Sequence, residues 1–225
     1  SPSADAPAGA AALERINSGH AVVDDYLKDA KEARLAANRE ADAALTISRH
    51  QAAAEAALRV GSGLVSAATR PEHATAISGA LPEIMSYGVI EARALTPWWR
   101  RATHLAIGPG LGQSVWSRAL WDVFWEAKKP AVVDADALNL LAQEPQRRED
   151  WVLTPHPGEA ARLLDTTVAD IEQDRFAAVR ALQQRYGGVC VLKGAGSLIG
   201  DATGVVAVIS GVPDIRQSSL PVNGS

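Results

Sequence analysis

The sequence predicts an α/β protein with a mostly parallel sheet and helices on both faces. Two observations carry this. Short apolar segments of strand type alternate at least four times with helical runs. The turns that follow those segments are rich in glycine, proline and acidic residues: 108–112, 134–139, 154–159 and 193–197. Right-handed crossovers bring such turns to one edge of a sheet. Ligands of open α/β sheets bind at that edge, beyond the carboxyl ends of the strands.

The chain has 225 residues, 47% of them apolar, and a net charge of −4. That suits one large domain, or a domain with an extension. The mild acidity argues against a nucleic-acid partner, which needs a basic face. No apolar run reaches the roughly 18 residues of a membrane span. Residues 1–7 have neither the basic nor the apolar region of a signal peptide, so the expected location is cytoplasmic. Cys190 stands alone, which excludes an intramolecular disulfide, and its apolar surroundings fit a small core residue.

Residues 1–10 are mostly Ser, Ala, Pro and Gly and read as a disordered lead-in. Residues 21–46 have a strong helix composition with few large apolar side chains, as an exposed helix does. The expected division is an extension over 1–46, a folded domain over 47–210 and a coil over 211–225. Residues 51–60 form a small-residue helix stopped by Gly61 or Gly63. A strand over 63–68 and a helix over 72–81 follow. Residues 103–107 are a strand running directly into Gly108. In 113–127, Trp116, Leu120, Val123, Phe124 and Ala127 recur at helical spacing, so these aromatics read as core. A strand over 131–133 leads to a short helix over 137–142. Residues 151–154 are a buried strand. Pro155 and Pro157 end it, because both lack a backbone donor and have fixed φ. Gly158 and Glu159 open a helix through Leu164. Thr167 and Asp170 form a capping box for one further helix carrying Val168, Ile171, Val179 and Leu182, ended by Gly187 and Gly188. Strands over 189–192 and 205–209 complete the pattern.

The turns carry the chemistry. Gly108, Gly110 and Gly112 permit close backbone approach, and the helix starting at Gln113 aims its N-terminus at negative charge. Lys193 places a point charge beside Gly194, Ala195 and Gly196, whose amides suit a phosphate, and Ser197 adds a hydroxyl. Asp134 and Asp136 suit either Mg²⁺ or a helix cap. Asp136 reads better as a cap, and Asp134 is open. Asn139 fits either role. His156 sits at the tip of the proline turn, where a local hydrogen bond and a ligand contact are both open.

With these four turns assembled, the chain resembles the NAD(P)H-hydrate dehydratase family of the ribokinase-like superfamily. The resemblance rests on residues 54–69, 107–112, 133–141, 153–164 and 191–197, in the family's order, within about residues 52–210. Its most specific parts are Thr154-Pro155-His156-Pro157-Gly158-Glu159 and Lys193-Gly194-Ala195-Gly196-Ser197. It implies a three-layer α/β/α fold, here incomplete, in a homo-oligomer. It also implies removal of water from hydrated NADH or NADPH, driven by ADP or ATP with Mg²⁺. Gly110, Gly112 and His156 would then contact the hydrated dinucleotide. Lys193, Gly194, Ala195, Gly196 and Ser197 would hold the adenine nucleotide's phosphates. Asp134, Asn139 and Glu159 are further candidates, with Asp134 the one suited to Mg²⁺.

Two departures bear on activity. The family's catalytic aspartate sits in a Gly-Met-Gly-Asp-like turn after the next strand, followed by helices. Here Asp214 is the only aspartate beyond Ser210, it lacks the glycines, and the C-terminal helices are missing. The catalytic residue therefore stays unassigned. Upstream, residues 38–51 carry none of the glycines of the family's first strand and turn. Two other readings stay open: a small-molecule kinase of the same superfamily, and a non-catalytic nucleotide-binding remnant.

Overall fold

A computed structural model describes residues 6–204 and 206–209. The chain divides into two units, residues 1–45 and 46–225. Helix α1 (Ala6–Arg59) supplies the described part of the first unit and, from residue 46, opens the second. Residues 6–10 are therefore helical and not a disordered lead-in. Ala8, Ala10, Ala11 and Ala12 are the best helix formers, and Pro7 falls in the first turn, where its missing N–H costs nothing.

In the second unit, β1 (Ser66–Thr69) and β2 (Met85–Gly88) pair in parallel, joined by α2 (Pro71–Ala80). Ala54, Ala67, Ile77 and Ile84 bury their side chains in the small core between these elements. β2 has no alternating pattern of its own, and pairing with β1 makes it a strand. A 3-10 turn (Ala92–Leu95) and α3 (Thr96–Arg101) follow.

The main sheet has six strands in chain order: β3 (Leu105–Ile107), β4 (Ala131–Val133), β5 (Trp151–Leu153), β6 (Val189–Leu192), β7 (Ser197–Gly200) and β8 (Val206–Ile209). The first four are parallel, and β7 and β8 are antiparallel additions. The connections carry α4 (Val115–Ala127), α5 (Ala135–Gln143), then α6 (Pro157–Leu164), α7 (Val168–Gln173) and α8 (Arg175–Tyr186). Because β3 to β6 lie side by side in sequence order, right-handed crossovers pass over the same face. On that face Val133, Leu153, Cys190 and Leu192 are fully buried, whereas Val132 on the other face is 42% exposed. Cys190 is the small core residue its surroundings suggest, and burial pushes its thiol up to about 12. From α4, Leu120, Val123 and Phe124 are buried in the same core.

The helix expected from Thr167 to Tyr186 is two helices. The capping box of Thr167 and Asp170 starts α7. The break comes at Asp174, whose carboxylate accepts from the Ala177 N–H at 2.8 Å and caps α8.

Candidate functional site

The turns meet because each one's first amide continues the parallel ladder of its neighbour. Asp134 N–H donates to the Ile107 carbonyl at 3.0 Å, Thr154 N–H to Val133 at 3.1 Å, and Lys193 N–H to Pro155 at 2.8 Å. The carboxyl ends of β3, β4, β5 and β6 are thereby stitched in a row.

The glycine turn after β3 is held from two sides. A Cβ on Gly110 would lie 2.8 Å from His50 Nδ1 and 2.9 Å from the Thr46 carbonyl oxygen, so its Cα is packed on α1. Gly112 N–H donates to Asp136 Oδ2 at 2.8 Å. Asp136 thus spends its carboxylate on the neighbouring turn and does not cap its own helix. Helix α4 starts at Val115, two residues later than expected. Ser114 is its cap, accepting from the Ser117 N–H at 3.3 Å.

His50 was not anticipated. Its Nδ1–H donates to the Thr46 carbonyl at 2.9 Å. Its pKa is depressed, first by burial, with nearby His73 adding to this and the Thr46 bond opposing it. The folded protein therefore resists a proton that the unfolded chain takes up near 6.5. This contribution is fully present above that value and is lost as the pH falls. The melting temperature is expected to drop between about pH 7 and 5, and His50→Gln to flatten the drop. Thermal scans across that range measure it. The carboxylates of Asp150 and Asp170 have pKa values below 3.8, through hydrogen bonds from Arg148 and from Thr167, and stay ionised there. An unchanged slope in the variant would remove His50 from the account.

His156 is the N-cap of α6. Its Nδ1 accepts from the Gly158 N–H at 3.0 Å and the Glu159 N–H at 3.4 Å. The other ring nitrogen, Nε2, faces Glu159 Oε1 at 3.4 Å, and Glu159 Oε2 accepts from the His156 backbone N–H at 2.8 Å. The local hydrogen bond is therefore made, and the ring still has half its side-chain surface exposed.

Lys193 joins the neighbouring turns. Its Nζ donates to Asp134 Oδ1 at 2.7 Å and lies 3.9 Å from Glu159 Oε2. The Glu159 carboxylate is only 7% exposed, while Lys193 and Asp134 stay 40% and 29% exposed. Asn139 Oδ1 accepts from Arg162 Nη1 at 2.6 Å, tying α5 to α6. The Lys193-Gly194-Ala195-Gly196-Ser197 turn is a β6–β7 hairpin and not a strand-to-helix turn, because Ser197 begins an antiparallel strand. Among the described residues no helix begins within it to support it. A second cation does: Arg175 donates to the Lys193 carbonyl at 3.3 Å and the Leu192 carbonyl at 3.4 Å. Arg175 directly follows the Asp174 cap of α8, and nothing in the sequence analysis pointed to it. Asp214 lies outside the described residues.

Such a site defines an α/β protein that gathers a lysine, two carboxylates and a histidine at the carboxyl edge of a mostly parallel sheet. The family model for NAD(P)H-hydrate dehydratase matches residues 51–214, and the chain belongs to that family. It is 54% identical over 149 residues to a bifunctional NAD(P)H-hydrate repair enzyme of Coxiella burnetii, covering 66% of this chain and 30% of that protein. The corresponding enzyme of Escherichia coli is 48% identical over 155 residues, with 68% and 30% covered. The chain thus spans about a third of the length of these bifunctional relatives. Among solved structures, an ADP/ATP-dependent NAD(P)H-hydrate dehydratase from Bacillus subtilis, co-crystallised with ATP/Mg²⁺ and soaked with CoA, superimposes with a TM-score of 0.58 at 25% identity. It covers 72% of this chain and 60% of that one. No helix among the described residues is long and apolar enough to cross a membrane.

Proposed function

We propose that this chain supports the ADP- or ATP-dependent dehydration of hydrated NADH or NADPH. The observation that carries the reading is the meeting of Lys193, Asp134, Glu159 and His156 at the carboxyl ends of three adjacent parallel strands, inside the family match. The curated relatives are hydrate-repair enzymes, which favours dehydration over a kinase reaction.

The hydrated ring carries a hydroxyl on a hemiaminal-like carbon. Its departure becomes easy once that oxygen gives up its proton and takes the terminal phosphoryl group of ADP or ATP, releasing AMP or ADP; phosphate then leaves with the help of the ring nitrogen's lone pair, and loss of a proton from the adjacent ring carbon restores the double bond. The protein's share is positioning and charge stabilisation. In this reading Lys193 and the amides of Gly194, Ala195, Gly196 and Ser197 neutralise the phosphates. Gly112 and Gly110 shape the turn against which the dinucleotide lies, and the exposed half of the His156 ring contacts it. Asn139, held by Arg162, keeps α5 and α6 in register beside it. Mg²⁺ ordinarily takes one or two protein carboxylates and completes its shell with substrate phosphates and water. Asp134, beside Lys193, fits that role, and no group of three or more acidic, His or Cys ligands occurs among the described residues. Bound there, the ion would add positive charge to the phosphates.

Recovery of reduced-nicotinamide absorbance on offering hydrated NADH with ADP or ATP tests the reaction; no recovery with either nucleotide would reject it. Lys193→Ala is expected to weaken ADP binding at least about tenfold, the value of one charge-assisted contact. Unchanged affinity by calorimetry would sink the phosphate assignment.

A further inference from the structure

We infer that Asp134 is a built-in competitor for the phosphate at Lys193, and so sets how tightly the site takes a nucleotide. The inference rests on the reading of Lys193 as the phosphate cation.

Asp134 stands at the N-cap position of α5, where an aspartate ordinarily accepts from the amides of its own helix. It makes no such bond. Its carboxylate reaches 59 positions along the chain to Lys193 Nζ, at 2.7 Å. The next residue, Ala135, is held at φ +47, a left-handed conformation that a side chain disfavours. The helix start is therefore strained and lacks its side-chain cap while the carboxylate is engaged elsewhere. Glu159 adds a second carboxylate at 3.9 Å, so two negative charges flank one ammonium. Other cations nearby are committed, Arg162 to Asn139 and Arg175 to backbone carbonyls.

An arriving phosphate finds Lys193 already neutralised. It competes with Asp134 for that charge, so the net gain from the lysine is reduced. In the absence of a divalent ion Asp134 is thus the partner of Lys193 in the empty site and loses that partner to the phosphate in the loaded one.

ADP binding measured by calorimetry in divalent-free, low-salt buffer tests this. Asp134→Asn removes the charge and keeps a capping side chain; it is expected to bind ADP about fivefold more tightly than the unsubstituted protein, the worth of one half-exposed ion pair. Asp134→Ala should also tighten binding. A purely structural role for Asp134 gives no gain. Unchanged or weaker binding in both variants overturns the inference. Lys193→Met separates the two levels. If it weakens ADP binding while the Asp134 variants fail to strengthen it, only the inference falls. If it leaves ADP binding unchanged, the reading of Lys193 falls and the inference with it.

Discussion

Replacing Gly108 by alanine is expected to destabilise the protein by about 3 kcal/mol and to dismantle the turn after β3. Gly108 has φ +127, a conformation that side chains rarely adopt. A Cβ built there would overlap the backbone carbonyl oxygen of Asp134 and come within 3.1 Å of the Ala137 Cβ. Backbone cannot rotate out of the way, so either the glycine turn or the start of α5 must move. Both outcomes disturb the site, because the Asp134 N–H also donates to the carbonyl of Ile107, the residue before Gly108. Urea denaturation gives the stability loss, and calorimetry with ADP the loss of affinity. A cost below about 1 kcal/mol would mean that the two strand ends separate more easily than their packing indicates.

Trp151→Ala is expected to cost about 4 kcal/mol, the middle of the range for truncating a buried aromatic. Trp151 is 2% exposed. Its indole N–H donates to the Tyr186 carbonyl at 3.1 Å, with the Gly187 carbonyl at 3.3 Å, and its ring meets Trp125 edge-on at 5.6 Å. The substitution leaves a cavity and takes a donor from both carbonyls, of which that of Tyr186 keeps the Arg148 N–H at 3.1 Å. Trp151 lies at the amino end of β5, however, while the candidate site lies beyond Leu153 at the other end. The folded fraction should therefore keep its affinity for ADP, in contrast to Gly108→Ala. Denaturation curves and ADP titrations on the two variants distinguish a core defect from a site defect.

The regular elements of the domain were readable because their signals are local. The helical spacing of Leu120, Val123 and Phe124, the capping box of Thr167 and Asp170, and the glycines after Tyr186 each act within one or two turns of chain. β2 was invisible because Met85 to Gly88 has no pattern of its own and depends on pairing with β1. The break at Asp174 was missed because apolar residues continue on both sides of it. The site shows the same division. Lys193 and His156 stood out as residue types in punctuated turns. Their partners could not be read, because they are set by tertiary contacts. Asp136 prefers a cap locally yet serves Gly112, and Asp134 prefers a cap yet serves Lys193. His50 lies in an alanine-rich helix with nothing nearby in sequence to mark it.

The spatial order of the main sheet equals its order in the chain. Each strand from β4 to β8 docks on the one that precedes it, and none waits for a distant segment. Every new pairing closes a loop only as long as one connection, so the entropy of closure stays small at each step. Assembly can then run in one direction as the polypeptide is synthesised, each strand finding its edge already formed. The cation-bearing hairpin between β6 and β7 is among the last pieces added. The candidate site is thus completed only when nearly all of the sheet that supports it is in place.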